Sequence, residues 1–291
     1  MGQSDRHDAL LVETDWLQHH LSDLNVRIVD IRGVINPVDQ PKPWYFANRD
    51  AYNVSHIPGA VFVDWLKDIV DLDAPIKTTV APPEKIARVL GGLGIDNSSH
   101  VVVYDDEGGH IACRFWWVLN YYGHSHVKLL NGGWTKWVVE RRPITAELPR
   151  VQPAEFKPVV QPEWKAEAHE VRQALTDPRA VLVDARSRKE YLGEIGRGRK
   201  TGRIPGAVNV YFRTLIKNDL KTFKSPAEIR TLFAEAGVTP DKHVICYCNA
   251  GVSSAVDLFA LQLAGYPHAT NFAGSWYEWE SDPQNPITVG E

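Results

Sequence analysis

The feature that most restricts how this chain can fold is that it repeats itself. In the first half an apolar run, Val26-Arg27-Ile28-Val29, ends in Asp30-Ile31-Arg32; in the second, Val181-Leu182-Val183 ends in Asp184-Ala185-Arg186. A tyrosine follows each (Tyr52, Tyr191), then His56-Ile57-Pro58-Gly59-Ala60 in one half and Arg203-Ile204-Pro205-Gly206-Ala207 in the other. Pro83-Glu84 and Pro226-Ala227-Glu228 open helices that close near Leu93-Gly94-Ile95 and Ala236-Gly237-Val238. The run Val101-Val102-Val103-Tyr104-Asp105 matches Val244-Ile245-Cys246-Tyr247-Cys248, and Gly132 to Trp137 matches Gly274 to Trp279. Paired motifs lie about 145 residues apart, the size of a domain rather than of a solenoid repeat. Chance does not order that many matches at one spacing, so a domain has been duplicated.

Within each half, short apolar runs bounded by turn residues alternate with amphipathic stretches. That alternation predicts an α/β fold, each domain a mostly parallel sheet flanked by helices. The expected division is residues 9–147, a Pro-rich linker at 148–163, and residues 164–284. Prolines at 149, 153, 158 and 162 make the linker an extended, semi-rigid tether. A length of 291 residues gives each domain its own core. The net charge of −4 comes from dispersed charges, which argues against a nucleic-acid or anionic-membrane partner. No segment is apolar for long enough to span a bilayer, and Met1 to Asp8 has no signal-peptide core. Three cysteines are too few for a disulfide framework and fit a reducing compartment, so the expected location is cytoplasmic. No cofactor is expected. Neither is a metal, because Cys246-Tyr247-Cys248 has no second cysteine pair to complete a site.

Chemistry concentrates at Cys248. It stands at the carboxyl end of a buried strand, before the tight loop Asn249-Ala250-Gly251 and a helix that runs from Ser253-Ser254 to Ala264. Open α/β sheets bind ligands at this edge. Loop amides and the positive end of the helix dipole stabilise an anion there, and the thiolate is the nucleophilic form of cysteine. In the first half the same position is Asp105, a carboxylate that would repel a second anion instead of attacking one. The second domain is therefore expected to be catalytic, and the first to be a scaffold and one wall of a cleft. Ser253 and Ser254 read equally well as helix N-caps. Arg32 and Arg186, just after buried strands, read as members of structural ion pairs, and Trp134, Trp137, Trp276 and Trp279 as core aromatics.

Together the Asp-x-Arg strands, the Ile-Pro-Gly-Ala turns, Gly132-Gly133-Trp134, Gly274-Ser275-Trp276 and the loop from Cys248 to Ser253 resemble the tandem-domain rhodaneses, the thiosulfate and 3-mercaptopyruvate sulfurtransferases. The resemblance implies two rhodanese-like domains and transfer of a sulfane sulfur through a Cys248 persulfide to cyanide, a small thiol or thioredoxin. It also implies that Asn249, Ala250, Gly251, Val252 and Ser253 wrap the sulfur. Gly251 would supply a tight backbone turn, and the Ser253 hydroxyl a hydrogen bond to the sulfur or the loop.

Three residues depart from the family pattern. Asn249 and Ala250 are neither the basic residues of thiosulfate-preferring members nor the glycine and serine of mercaptopyruvate-preferring ones. A loop without fixed cations points to the singly charged 3-mercaptopyruvate ahead of thiosulfate. Glu190 stands where the family carries a substrate-binding arginine. The donor's anionic end would then fall to Arg188, Arg197, Arg199 or Lys200 in the basic stretch that follows Ser187. Two rival functions compete with this reading. A Cys-x5-Arg phosphatase needs an arginine where this chain has Ser254. A rhodanese-like sulfur carrier or interaction module without donor turnover is the other alternative.

Overall fold

The computed structural model describes residues 3–76 and 78–291. In the first half the sheet strands are β1 (Leu11–Val12), β2 (Val26–Asp30), β3 (Val61–Phe62), β4 (His100–Tyr104) and β5 (Val127–Leu130). In the second they are β6 (Lys165–Ala166), β7 (Ala180–Asp184), β8 (Val208–Asn209), β9 (His243–Tyr247) and β10 (Ala269–Phe272). Among the described residues the first set forms one five-stranded sheet in the order β1-β5-β4-β2-β3, and the second another in the order β6-β10-β9-β7-β8. The two orders are the same topology. Every neighbouring pair in both sheets is parallel.

β4 and β9 lie at the centres of their sheets, and each is buried over its last four residues. Helices cover both faces of such a strand, which is why Val-Val-Val-Tyr and Val-Ile-Cys-Tyr are runs and not alternations. Near their carboxyl ends the duplicated motifs make duplicated contacts. Arg32 pairs with Asp30 at 2.8 Å and Arg186 with Asp184 at 2.6 Å, all four side chains buried. The same guanidinium groups donate to Ser55 O (2.6 Å) and Gly202 O (2.8 Å), just ahead of the Ile-Pro-Gly-Ala turns. The repeated tyrosines close those turns: the Tyr52 hydroxyl donates to Ala60 O at 2.8 Å and that of Tyr191 to Ala207 O at 2.7 Å. Trp137, Trp276 and Trp279 are fully buried, while Trp134 is half-buried under the Arg32 guanidinium, 4.2 Å from the ring centre.

The halves meet along two helices, Ala112–Tyr121 and Ser253–Ala264. Both are buried nearly all round, because each is covered by its own sheet on one side and by the other domain on the other. Trp116 meets Phe259 edge-on at 5.0 Å across this seam. One apolar cluster therefore contains residues of both sheets, from Val103 to Cys246. The Pro-rich linker is extended as expected, and it lies along the first domain. Ala154 N donates to Gly91 O, Val159 N to Tyr122 O and Gln161 N to Tyr121 O (2.8–3.0 Å), and Phe156 is buried. The excursion after β2 folds back as an antiparallel hairpin, Gly33–Ile35 with Tyr45–Ala47. It brings first-domain residues over the carboxyl edge of the second sheet, where Tyr45 and Tyr277 place their hydroxyls 3.1 Å apart.

Candidate active site

Between the end of β9 and the first turn of Ser253–Ala264, the chain turns through Cys248 to Val252. Gly251 makes the turn with φ of +73°, and a Cβ there would lie 2.4 Å from Ala273 O, so no other residue fits. The loop is fastened from outside. Cys248 N donates to Ser275 Oγ (3.1 Å), Asn271 Nδ2 donates to Gly251 O (3.1 Å), and the amides of Trp276 and Tyr277 donate to Cys248 O and Asn249 O (3.0 and 3.1 Å). By contrast, the amides from Asn249 to Ser253 have no oxygen partner among the described residues. Cys248 is 3% exposed, yet it lines a cleft of about 290 Å³ between the domains. Ile35, Tyr45 and His110 of the first domain and Arg197, Tyr211 and Phe212 of the second form much of its wall.

The two serines act otherwise than expected. Ser254, not Ser253, approaches the sulfur: its Oγ is 3.5 Å from Cys248 Sγ and 2.7 Å from Asn271 Oδ1. Ser253 Oγ instead meets His110 Nε2 of the first domain at 2.8 Å. Neither hydroxyl caps the helix, because Val252 already has helical dihedrals and the chain enters the first turn directly. His110 stacks on Phe212 at 4.2 Å. Burial pulls its imidazole down to about 3, helped by the nearby Arg213 and Arg197 charges, so the ring is neutral at physiological pH.

Of the three arginines proposed to hold a donor, only Arg197 reaches the cleft. Its guanidinium lies over the rings of Trp44 and Tyr45, Nη2 donates to Asn36 O, and the buried Nη1 has no hydrogen-bond partner among the described residues. Arg188 lies elsewhere, exposed and paired with Glu291 at 2.7 Å. The cause is local. Ser187 and Glu190 form a capping box on the helix Arg188–Leu192, which turns Glu190 inward and leaves Arg188, two residues away, on the far side. Arg199 and Lys200 are also exposed, with their amides held by Glu280 at 3.0 and 2.7 Å. Glu190 accepts from Asn249 Nδ2 at 2.9 Å and stands 3.8 Å from Arg197 Nε, so it braces the loop and the arginine together.

Sequence reasoning did not single out three other residues at the site, His110, Arg114 and Asp257. Arg114, on the first-domain helix, is 1% exposed and donates to Gly251 O (3.2 Å) and Thr78 O (2.8 Å). Asp257, on Ser253–Ala264, is fully buried with both carboxyl oxygens unpartnered. Burial, then the Cys248 and Asp184 charges, push its acid well up. A charged residue inside an otherwise apolar helical run was the available signal for both Arg114 and Asp257.

Asp105 occupies the equivalent position in the first domain and does not face the cleft. Its Oδ1 accepts from the amides of Glu107 (3.0 Å) and Gly109 (2.8 Å), and its Oδ2 from those of Ile111 (2.7 Å) and Ala112 (2.9 Å). Trp134 N donates to Asp105 O at 2.8 Å, just as Trp276 N does to Cys248 O. The carboxylate is thus the anion of its own loop, not a surface charge repelling a substrate.

Comparison with known proteins fits this geometry. A family model described as a rhodanese-like domain matches residues 13–140 and again 167–282. The chain is 35% identical over 298 residues to the sulfur carrier protein TtuD of Thermus thermophilus, covering 98% of each chain. It is 33% identical over 293 residues to the thiosulfate sulfurtransferase of Bos taurus, covering 97% of this chain and 96% of that one. Among solved structures, SseA of Escherichia coli, a 3-mercaptopyruvate sulfotransferase, superposes with a TM-score of 0.81 at 30% identity, covering 91% of this chain and 98% of the other. No helix among the described residues is long and apolar enough to cross a membrane.

Proposed function

The chain belongs to the rhodanese family and is a two-domain sulfurtransferase, and from that premise we propose that Cys248 is the residue that carries the sulfur. Residues 164–284 form the catalytic domain and residues 9–147 its silent twin. The observation that carries this reading is the loop itself: amides from Asn249 to Ser253 left without oxygen partners around a cysteine that opens onto the interdomain cleft. Such a ring of donors favours an anion at the sulfur, whether thiolate or persulfide.

In the first half-reaction the thiolate attacks the outer sulfur of the donor. With 3-mercaptopyruvate the carbon–sulfur bond breaks, its electron pair leaves on carbon as the enolate of pyruvate, and Cys248 keeps the sulfur as a persulfide. With thiosulfate the sulfur–sulfur bond breaks and sulfite departs with the pair. In the second half-reaction cyanide or a thiolate attacks the terminal sulfur and restores the Cys248 thiolate. Dividing the transfer in two is what a covalent intermediate achieves, and it gives ping-pong kinetics.

Arg197 binds the donor's anionic end through its unpartnered Nη1. One free guanidinium nitrogen, and no cation in the loop, suit a single carboxylate, so 3-mercaptopyruvate is the preferred donor. Thiosulfate is the second reading, favoured by the relatives named for it. The acceptor is a small thiophile or a reduced protein thiol such as that of thioredoxin. The relative named as a sulfur carrier supports delivery to another protein. The three cysteines are all free, as a reducing cytoplasm requires. Steady-state kinetics with the two donors side by side and cyanide as acceptor test this. Parallel double-reciprocal lines and a higher kcat/KM for 3-mercaptopyruvate are expected. Intersecting lines would contradict the persulfide intermediate, and a higher value for thiosulfate would reverse the donor assignment.

A further inference from the structure

The guanidinium of Arg114 is a buried cation with no anion of its own. It bonds two carbonyl oxygens, Gly251 O and Thr78 O, and lies over the Trp117 ring, 4.3 Å from its centre. No carboxylate reaches it among the described residues. Removing a charge from water is costly unless an opposite charge replaces the lost hydration. Burial pulls Arg114 down to about 10 against the opposing influence of Cys248, the strongest, and then Tyr122.

The titratable groups around this corner of the site leave one partner. Tyr122 is a neutral phenol donating to Ala81 O, and its own burial pushes it further up. Asp257, on the helix after Cys248, has its acid pushed well up by burial and is not among the groups whose charge acts on Arg114. Cys113, on Arg114's own helix, and Cys246, on β9, are buried thiols pushed well up. Asp105 is consumed by four amides of its own loop, and His110 is neutral. What remains is the sulfur of Cys248, on the loop whose Gly251 carbonyl Arg114 already holds.

We propose that Arg114, supplied by the domain that lacks the cysteine, is the counter-ion of the anionic sulfur on Cys248. It is a positioning residue: it does not line the cleft, and it acts through the loop and across the low-dielectric seam between the domains. The first domain then contributes charge to the reaction as well as a wall. This inference rests on the reading of Cys248 as the sulfur carrier.

Two measurements test it. The rate at which Cys248 acquires sulfur, followed by intact mass, is expected to fall about tenfold or more in Arg114→Gln, with the donor KM changed by less than about twofold. Arg114→Lys, which keeps the charge and loses the fork, is expected to stay within about threefold of the parent. Loading by Arg114→Gln at the parent rate would overturn the proposal. So would Arg114→Lys being as slow as Arg114→Gln, because the role would then be shape and not charge. The second measurement needs Arg114 intact. Cys248→Asp places a fixed anion at the sulfur position and is expected to melt above Cys248→Asn at neutral pH, whereas the reverse order would show that no cation faces that position. Melting does not depend on turnover. A protein that takes up no sulfur, yet melts higher with Asp than with Asn, would refute the sulfur-carrier reading and leave the charge pairing standing.

Discussion

Asp105 and Cys248 end equivalent central strands, and each offers its carbonyl to the amide of an equivalent tryptophan, Trp134 or Trp276. After that the two loops part. In the first, four amides close on the Asp105 carboxylate, so the loop contains its own anion. In the second, the side chain is a single sulfur, the amides from Asn249 to Ser253 have no oxygen partner among the described residues, and the position opens onto the cleft. The same strand–loop–helix therefore yields a closed loop or one with open donors, depending on whether those donors are satisfied internally. Duplication supplied two copies of one turn, and the residue at its start decides whether the turn's amides are satisfied from within.

The comparison breaks most visibly if the two residues are exchanged for alanine. Cys248→Ala is expected to abolish sulfur transfer in a cyanide assay while changing the melting temperature little, because only a small side chain is lost. Asp105→Ala should do the opposite. Orphaning four amides, two of them fully buried, should cost about 3 kcal/mol or more of stability in a denaturant titration. Transfer activity per folded molecule should be retained. Were Asp105→Ala neutral for stability, the description of its loop as an internally satisfied anion site would be wrong.

The arginines sharpen the comparison at the next level. Arg197→Gln is expected to lower kcat/KM for the donor by roughly 10- to 100-fold, chiefly through KM, as for loss of a charged hydrogen bond. Arg188→Gln and Arg199→Gln should stay within about twofold, since neither side chain reaches the cleft.

Acid stability separates the residues that flank the sulfur. His110 has its pKa depressed to about 3, so the unfolded chain takes the proton first as pH falls. Its contribution to stability is complete above about pH 6.5 and is lost toward pH 3, at up to about 1.4 kcal/mol per pH unit. His110→Phe should flatten that limb in melts between pH 7 and pH 4. Asp257 has the opposite sign: its pKa is raised, so its contribution is present below about pH 4 and declines as the unfolded chain ionises at higher pH. Asp257→Asn should therefore raise the melting temperature more at pH 8 than at pH 4. An equal gain at both would mean that the acid is ionised in the folded protein.

Much of the fold could be read from the chain because it rests on local signals that occur twice. The Asp-x-Arg strands, the Ile-Pro-Gly-Ala turns and the helices opened by Pro83 and Pro226 appear at the expected places. The two-residue strands β1, β3, β6 and β8 are too short to carry a periodic pattern. At the site, the place of Cys248 between a strand and a helix was legible from the order of the elements, and the Gly251 turn from the resemblance. His110 and Arg114 were not, because tertiary packing of two helices, not sequence spacing, brings them to the loop. The exchange of roles between Ser253 and Ser254 turns on about one hundred degrees of helix rotation, finer than a motif can resolve. Arg197 differs from Arg188 and Arg199 only through the capping box that orients Glu190 and through the first-domain hairpin above it.

The central claim is that sulfur enters at one cysteine, in one of two like domains. Treating the protein with 3-mercaptopyruvate or thiosulfate, digesting it without reductant and weighing the peptides tests it directly. The account predicts one added sulfur on the peptide containing Cys248, with Cys113 unmodified and no gain in Cys248→Ala. Sulfur on Cys113, a gain that survives Cys248→Ala, or no gain from either donor would contradict it.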